Sequence, residues 1–311
     1  MGKIRETLIA GAGAIGSMVA WEIEERLPGK VSILAEGERL ERYEREGFVI
    51  NGEPKRFALC DAAGNSEPDL VIVACKAHQL GRVIDDLSSH IGPETLILSL
   101  LNGITSERII GDAFGDWRVP ESMIVGTDAG HGGNATWFSK TGTIFFGDPQ
   151  NAAERSEWSP RVRAIADFFD RAGIAYSVPR DMTNRLWYKY MLNVAVNQVT
   201  AITRQPYRLI QSATIAAETR EILDAAMREV IAIARAEGIT LTEGDIASVY
   251  ATMDALSPEG KTSMCQDVEA GRKTEVEIFS GTVIELGKKR GIPVPVNETL
   301  FRLLRAIESQ L

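Results

Sequence analysis

The pattern that most limits the fold of this chain lies in its first 36 residues. A short apolar segment, Thr7–Ala10, leads into the six residues Gly11-Ala12-Gly13-Ala14-Ile15-Gly16, and a helical segment and a second apolar segment, Val31–Ala35, follow. A G-x-G-x-x-G motif between a strand and a helix is typical of dinucleotide binding, because its glycines let a pyrophosphate approach the backbone at the helix N-terminus. We therefore predict a dinucleotide site at residues 11–16.

Strand-like and helical segments continue to alternate as far as Pro179. Further strands are predicted at residues 70–74, 95–100, 122–126, 143–146 and 174–178, and a glycine-rich loop is predicted at residues 130–134. After Pro179 the patterns are helical, with glycine and proline breaks between the segments. The sequence therefore predicts an α/β fold: a Rossmann-type, doubly wound, dinucleotide-binding domain at residues 1–179 and an all-helical substrate and catalytic domain at residues 180–311.

One predicted helix of the second domain, at residues 185–200, is apolar around most of its circumference, which is typical of a buried helix. Lys189, Asn193 and Asn197 interrupt it at four-residue intervals, so we expect them to share one face. Burying an amide without a partner costs roughly 2–7 kcal/mol, so these groups need polar neighbours, water or a ligand. The spacing alone leaves both a structural role and a ligand site open.

Composition excludes several classes of function. The chain has 311 residues and a formal net charge of −9, which argues against nucleic acid or an anionic membrane as a partner. The sparse cysteines, Cys60, Cys75 and Cys265, favour a reducing cytoplasm over a disulfide framework, and the scattered histidines indicate no metal site. No segment is typical of a signal peptide or a membrane span. We expect a cytoplasmic protein, and an all-helical second domain is compatible with a homodimer.

Two polar residues follow predicted strands of the first domain. Lys76 and Asn102 come just after the segments at 70–74 and 95–100, at the edge where open α/β sheets bind ligands. A loop lysine and a turn asparagine before glycine are also common without any function. Their position makes them candidates for ligand binding.

Two further candidates lie in segments that have capping-box spacing. Ser263 stands three residues before Gln266, and Thr274, which precedes Glu275, stands three residues before Glu277. Capping of a helix, or a favourable charge in its first turn, is the simpler explanation of both patterns.

Together these motifs resemble the ketopantoate reductase family, the 2-dehydropantoate 2-reductases. The matching segments occur in the family's order and span nearly the whole chain. They are the glycine loop at 11–16, Lys76 within 75–79, Asn102-Gly103, Leu186-Trp187-Tyr188-Lys189, Asn193, Asn197, the segment 262–267, Thr274-Glu275 and the segment 291–295. The glycine loop alone is unspecific, whereas the lysine and asparagine row combined with the Ser-Met-x-Gln-Asp pattern is much more specific.

The resemblance implies an NAD(P)H-dependent reduction of a 2-oxo acid, which in pantothenate biosynthesis converts ketopantoate to pantoate. It implies that Lys189 is the catalytic proton donor. The substrate contacts that it implies are Asn102, Asn193, Asn197 and Ser263. The cofactor contacts that it implies are Gly11, Ala12, Gly13, Ala14, Ile15, Gly16, Lys76, Asn102 and Glu275.

The chemistry of these residues is consistent with such a reaction. Reduction of a ketone leaves negative charge on its oxygen, and a positioned ammonium can stabilise that charge and donate a proton. Lys189 lies in the predicted helical domain, while the glycine loop lies in the first domain. We therefore expect turnover to involve both domains, with closure as a step.

The identity of the cofactor depends on the end of the second strand. Glu36 lies 20 residues after Gly16, where an acid accepts hydrogen bonds from the adenosine ribose 2′-hydroxyl and favours NADH. Reductases that resemble this chain usually use NADPH and carry an arginine about there. Arg39 and Arg42 follow in the sequence and could hold a 2′-phosphate instead. We predict that Glu36 belongs to the cofactor site and that NADH is preferred.

Two departures from the family pattern leave the substrate open. Gln198 stands where the family often has proline, and Tyr207 stands where it commonly has a further substrate-binding asparagine. One alternative is therefore a reductase of another 2-oxo acid on the same architecture. Another is a catalytically inactive dinucleotide-sensing protein, which has no need of an ammonium such as Lys189 in an apolar helix.

Overall fold

The computed structural model describes residues 2–310, which form two compact units that divide after Thr183. The predicted boundary at Pro179 lies four residues earlier (183 − 179). The segment after Pro179 continues with the first unit because Asn151 N donates a hydrogen bond to the carbonyl of Arg180, at 2.8 Å. Each unit has its own buried apolar residues.

The secondary structure of both units is as follows. The strands are β1 (Thr7–Ala10), β2 (Val31–Ala35), β3 (Phe48–Ile50), β4 (Glu53–Lys55), β5 (Ala58–Asp61), β6 (Leu70–Val73), β7 (Leu96–Ser99), β8 (Glu121–Val125), β9 (Gly130–Gly132), β10 (Ala135–Trp137), β11 (Thr143–Gly147) and β12 (Tyr176–Ser177). The α-helices are α1 (Ala14–Arg26), α2 (Gly37–Glu46), α3 (Leu80–Leu87), α4 (Ser106–Phe114), α5 (Pro160–Ala172), α6 (Met182–Leu192), α7 (Gln198–Thr203), α8 (Ala217–Ala236), α9 (Glu243–Asp254), α10 (Ser263–Glu269), α11 (Ser280–Arg290) and α12 (Pro295–Glu308).

The centre of the first unit is a parallel sheet with the strand order β5-β2-β1-β6-β7. In its middle, Ile9 of β1 pairs with Ile33 of β2 and with Ile72 of β6. Strands β1, β6 and β7 are buried along their whole lengths, as expected for apolar strands of a parallel sheet covered on both faces. The strand order changes direction at β1, so the carboxyl ends of β1 and β6 border the crevice where such sheets bind nucleotides. The Rossmann-type prediction is confirmed.

Two smaller sheets, with the orders β4-β3-β10-β9 and β12-β11-β8, complete the first unit. The glycine-rich segment at 130–134, which the sequence suggested was a loop, forms β9 and the turn into β10. In this hairpin the indole of Trp137 covers Gly130 so closely that a side chain there would overlap the ring. Gly130 is therefore required for close packing of the indole.

The second unit is helical, which confirms the prediction of an all-helical domain. Its centre is a buried rod formed by α6, a π-helical segment at Asn193–Asn197 (the π segment) and α7. Helices α8, α10 and α12 pack against this rod. The prediction of a regular α-helical row is wrong at the π segment, because a π turn bonds residues i and i+5. Asn193 and Asn197 therefore do not have the angular offset of an α-helix.

Composition led to expectations about membranes, metals and thiols. None of the helices in residues 2–310 combines the length and the apolar composition needed to cross a bilayer. In the same part of the chain, no three His, Cys, Asp or Glu side chains are grouped to hold a metal ion. None of the three cysteines, Cys60, Cys75 and Cys265, forms a disulfide bond.

Candidate active site

The three glycines of the loop between β1 and α1 differ in their surroundings. Gly11 has φ +109°, and a Cβ added to it would lie 2.8 Å from the backbone of Ala74 at the end of β6. A Cβ added to Gly16 would overlap the carbonyl oxygen of Gly11. By contrast, no atom lies within 4 Å of a Cβ added to Gly13. Gly11 and Gly16 therefore serve close packing within the loop, whereas Gly13 leaves open space beside the backbone.

This open space lies at the beginning of α1. Gly13 is the N-cap residue of the helix, and no side chain caps it. Ala12 is buried, while Ala14 and Ile15 are half-buried at the first turn. The N–H groups and the positive end of the dipole at a helix N-terminus attract phosphate. The loop at 11–16 therefore fits the pyrophosphate of a dinucleotide by its own geometry.

Lys76 and Asn102 lie at the same edge of the sheet as the glycine loop. Lys76 follows β6, and its backbone N–H donates to Gln79 Oε1 at 3.2 Å, which fixes the turn after the strand. Asn102 follows the adjacent strand β7 and precedes Gly103, whose φ is +92°. Both candidate side chains are half-buried. The parallel order of the strands thus brings both predicted positions to the carboxyl edge.

Glu36 lies at the end of β2 and is the N-cap residue of α2. Its carboxylate forms an ion pair with Arg82 of α3. Asp86 lies one turn after Arg82, and its pKa is raised by burial and then by the negative charge of Glu36. Arg82 is a partner that the sequence analysis missed, because 46 residues separate it from Glu36 and no local pattern connects them.

Arg39 and Arg42, the two arginines that the sequence suggests as ligands of a 2′-phosphate, differ in their surroundings. The guanidinium of Arg42 lies 5.3 Å from the centre of the Tyr43 ring, and its positive charge contributes, after burial, to lowering the pKa of His131 in β9. Arg42 is thus directed toward the sheet β4-β3-β10-β9, which contains His131. Arg39 is exposed, and its positive charge offsets a small part of the rise in the pKa of Asp86. Arg39 therefore remains near the Glu36 and Arg82 pair, whereas Arg42 does not.

In the second unit, the rod carries the predicted lysine and asparagines. Lys189 is half-buried in α6, while Asn193 and Asn197 in the π segment are 7% and 6% exposed. Gln198, the first residue of α7, donates from Nε2 to the carbonyl of Val194 inside the π segment. A π turn displaces backbone carbonyls from regular α-helical bonding, and the Gln198 side chain provides one of them with a donor.

The Gln198 side chain also connects the π segment to two other helices. Its Oε1 accepts a hydrogen bond from Ser280 Oγ of α11, at 2.6 Å. Ser280 Oγ lies 3.0 Å from Oδ1 of Asn297 in α12, and Asn297 Nδ2 donates to Glu229 of α8 at 2.8 Å. All three polar residues 198, 280 and 297 are buried. This network fixes the backbone that carries both asparagines.

Ser263 is the first residue of α10 and is exposed. The predicted capping role of Ser263 is wrong, because the N-cap residue is Thr262, whose hydroxyl accepts from Cys265 N at 3.1 Å. The hydroxyls of Thr262 and Thr200 are 2.8 Å apart, which attaches the start of α10 to α7. Ser263 thus lies beside a helix start that is bonded to the rod, and another residue does the capping.

Glu275 is 9% exposed and precedes a short 3₁₀ turn at Val276–Ile278. The capping box expected from Thr274 and Glu277 is not formed, because the Thr274 hydroxyl donates to Glu308 of α12 and accepts from Val276 N at 3.3 Å. The 3₁₀ turn ends beside α6, where the hydroxyl of Tyr190 donates to Phe279 O at 2.8 Å. Glu275 is therefore placed by a turn that is tied to the helix of Lys189.

Tyr207, at the position that departs from the family pattern, supports a loop. Its ring packs on Gly260, and its hydroxyl donates to Lys261 O at 3.2 Å. Burial raises the pKa of this phenol, so it stays neutral. The tyrosine therefore holds the segment before α10 by packing and by one hydrogen bond.

Two family models match this chain. The one described as ketopantoate reductase PanE/ApbA matches residues 7–151, and the one described as ketopantoate reductase PanE/ApbA C terminal matches residues 181–308. The chain is 26% identical to an uncharacterized oxidoreductase, YkpB, of Bacillus subtilis, over 97% of this chain and 99% of that protein. It is also 26% identical to a 2-dehydropantoate 2-reductase of Archaeoglobus fulgidus, over 99% of this chain and 100% of that protein.

Solved structures of similar fold include a complex of D-mandelate dehydrogenase with NADH, with a TM-score of 0.85, 23% identity, and coverage of 98% of this chain and 99% of that chain. A dimeric ketopantoate reductase from Staphylococcus aureus has a TM-score of 0.79 and 20% identity, and covers 98% of this chain and 99% of that chain. The two family models match the two units in order and together span most of the sequence. The chain therefore belongs to the ketopantoate reductase family and is an NAD(P)H-dependent oxidoreductase of the 2-oxo acid reductase type.

Proposed function

We propose that this protein reduces ketopantoate to pantoate, with Lys189 as the proton donor. The observation that supports this proposal most is the rod of the second unit, where a half-buried lysine precedes two buried carboxamides, Asn193 and Asn197. A carboxylate substrate supplies acceptors for amide N–H donors, and buried amides need such partners. The product would enter pantothenate biosynthesis, and we expect the enzyme to act in the cytoplasm.

The reaction adds one hydride and one proton to each 2-oxo acid. When bound, reduced nicotinamide would supply the hydride for the carbonyl carbon, which becomes the carbon of a secondary alcohol. The ammonium of Lys189 stabilises the negative charge that develops on the carbonyl oxygen and transfers a proton to it. The amides of Asn193 and Asn197 would hold the substrate carboxylate or hydroxyl, and the hydroxyl of Ser263 would donate a further hydrogen bond. Lys189 then recovers its proton from solvent.

The first unit would hold the cofactor. The loop at 11–16 fits the pyrophosphate, and Glu36 would accept from the adenosine ribose. Lys76 and Asn102, at the ends of β6 and β7, would contact the phosphates and the nicotinamide side, with Asn102 also near substrate. Glu275 completes the proposed cofactor set from the second unit. A homodimer is a further proposal, supported by the dimeric ketopantoate reductase of similar fold.

A second candidate function is the reduction of another 2-oxo acid. The observation that favours it is Tyr207, whose hydroxyl is bonded to a backbone carbonyl at the position where the family commonly offers an asparagine to substrate. The similar fold of D-mandelate dehydrogenase adds an aromatic 2-oxo acid to the compounds worth testing. The catalytic role of Lys189 is the same in both candidates.

The test is a panel of 2-oxo acids, assayed by loss of reduced nicotinamide absorbance with NADH and with NADPH. Ketopantoate, 2-oxoisovalerate, pyruvate and phenylglyoxylate cover branched, small and aromatic side chains. Ketopantoate should give the highest kcat/KM. A clearly higher kcat/KM for another member would replace ketopantoate with the second candidate, and the absence of turnover on every acid would refute the proposed reaction.

A further inference from the structure

Arg82 is the one ion-pair partner that the structure records for Glu36 among residues 2–310, and both lie at the edge proposed for the cofactor. Arg82 comes from α3, which follows β6, while Glu36 ends β2 on the other side of β1. Its side chain is 70% exposed and that of Glu36 is 40% exposed. Ion pairs that are this exposed contribute little to folding stability, so a ligand can open the pair at small cost.

The two partners suit different adenosine groups. A carboxylate accepts hydrogen bonds from a ribose 2′-hydroxyl, as NADH requires, and repels a 2′-phosphate. A guanidinium donates two parallel hydrogen bonds to a phosphate, as NADPH requires. In the pair, the charge of Arg82 cancels the charge of Glu36, and Asp86 Oδ2 lies 4.0 Å from Arg82 Nε. The pair therefore presents an acceptor and a cation at the same place.

We propose that Arg82 sets the cofactor selectivity of this enzyme, by pairing with Glu36 in the free protein and by binding the adenosine 2′-phosphate when NADPH is present. This inference rests on the proposed placement of the dinucleotide at the carboxyl edge. Glu36 alone would restrict the site to NADH. With Arg82 beside it, the site accepts NADPH as well, and Arg39 adds positive charge near Asp86.

The experiment measures the dissociation constants of NADH and NADPH by calorimetry, so that it needs no substrate. Wild type should bind the two dinucleotides within about tenfold of each other, equivalent to about 1.4 kcal/mol. Arg82→Ala should raise the Kd ratio of NADPH to NADH at least about fivefold by weakening NADPH alone. Glu36→Gln should move the same ratio in the opposite direction, because Arg82 loses its competitor and the ribose loses its acceptor.

Arg108→Ala is the matched control, since Arg108 of α4 is 67% exposed and pairs with Asp112 in the same unit. It should leave both dissociation constants unchanged. A smaller change of the ratio in Arg82→Ala, or an equal weakening of both dinucleotides, would overturn the inference. Failure of wild type to bind either dinucleotide would overturn it as well. Normal binding and selectivity without turnover of any 2-oxo acid would refute only the proposed reaction.

Discussion

Lys189 is the residue on which the proposed chemistry depends most directly. Lys189→Ala removes the group that would protonate the substrate oxygen, so kcat should fall by at least about two orders of magnitude, the scale of general acid catalysis. The fold should remain, because Lys189 is half-buried and alanine favours helices. Steady-state kinetics on the best 2-oxo acid measures the effect. Lys288→Ala, at an exposed position of α11, is the control, and a Lys189→Ala enzyme with near wild-type kcat would exclude this lysine as donor.

Two glycines of the loop between β1 and α1 should respond differently to substitution by alanine. Gly13→Ala adds a methyl group in open space, so the melting temperature should hold, while the dinucleotide Kd should rise at least about tenfold because the pyrophosphate must lie against that backbone. Gly16→Ala forces a methyl group into the carbonyl of Gly11 and should lower the melting temperature by several degrees. Calorimetry of both variants checks the pair. Equal loss of stability would show that Gly13 is also a packing position.

Single residues also show what a sequence can and cannot reveal about a site. Gly11, Gly16 and Glu36 could be placed because the strand, turn and helix context fixes their positions over a short stretch of chain. Arg82 could not be placed, since its ion pair with Glu36 depends on how α3 packs on the sheet. The capping patterns at 263 and 274 misled for a related reason. Thr262, not Ser263, accepts the hydrogen bond that caps α10, and Glu308 accepts the hydrogen bond of the Thr274 hydroxyl. Packing decides which of the available partners is used.

At the scale of elements, the π segment is the feature that departs most from expectation. Gln198→Met keeps the size of the side chain but removes the donor to Val194 O and the acceptor for Ser280. The free energy of unfolding should fall by about 1–3 kcal/mol, since a buried carbonyl and hydroxyl lose partners. If the network positions Asn193 and Asn197, KM for the 2-oxo acid should also rise, with little change in dinucleotide Kd.

A matched variant separates an effect on the positions of Asn193 and Asn197 from an effect on the stability of the protein. Gln211 is also a buried glutamine of the second unit, and its Nε2 donates to the carbonyls of Met253 and Leu256, away from the π segment. Gln211→Met should destabilise the protein by a similar amount, measured by urea unfolding, and should leave KM unchanged. An equal rise of KM in both variants would mean that Gln198 acts through stability alone.

Elements differ in how well the sequence anticipates them. β1 and β2 have the predicted bounds, because apolar residues between glycine and polar breaks define a buried strand. The strands β3, β4, β9 and β10 have three residues each, too few to show an alternating pattern. The π segment has no compositional signal, since its apolar residues also fit an α-helix, and its hydrogen bonding is stabilised by side chains from α8, α11 and α12.

At the scale of the whole molecule, half-buried carboxyls should make stability depend on pH. Burial raises the pKa of Glu107, which accepts from Ser106 Oγ at 3.0 Å, to about 7, and burial raises that of Glu22 to about 7. Both pKa values lie above the ordinary glutamate value of 4.5, so the folded state binds more protons than the unfolded state between pH 4.5 and about 7. The free energy of unfolding should therefore fall as pH rises from about 4.5 to 7, and should level off above that range.

Glu107→Gln tests this dependence, because it removes the half-buried charge and keeps a hydrogen-bond acceptor. At pH 8 the variant should gain stability over wild type, on the order of 3 kcal/mol at most, and the gain should shrink toward pH 5. Urea unfolding at several pH values measures both curves, and Glu285→Gln, at an exposed position, is the control. Parallel curves for wild type and Glu107→Gln would show that the carboxyl does not titrate near neutrality.

The place of β1 in the sheet has a consequence for how the chain is made. β1 is synthesised before both of its neighbours, β2 and β6, and β6 begins only at Leu70. Until the ribosome has released that segment, one edge of β1 has no strand to bond, and an apolar strand with an open edge invites pairing with other chains. Parallel pairing over such sequence distances is slow. We therefore expect the nascent chain to need protection of β1 while the following sixty residues (70 − 10) are synthesised.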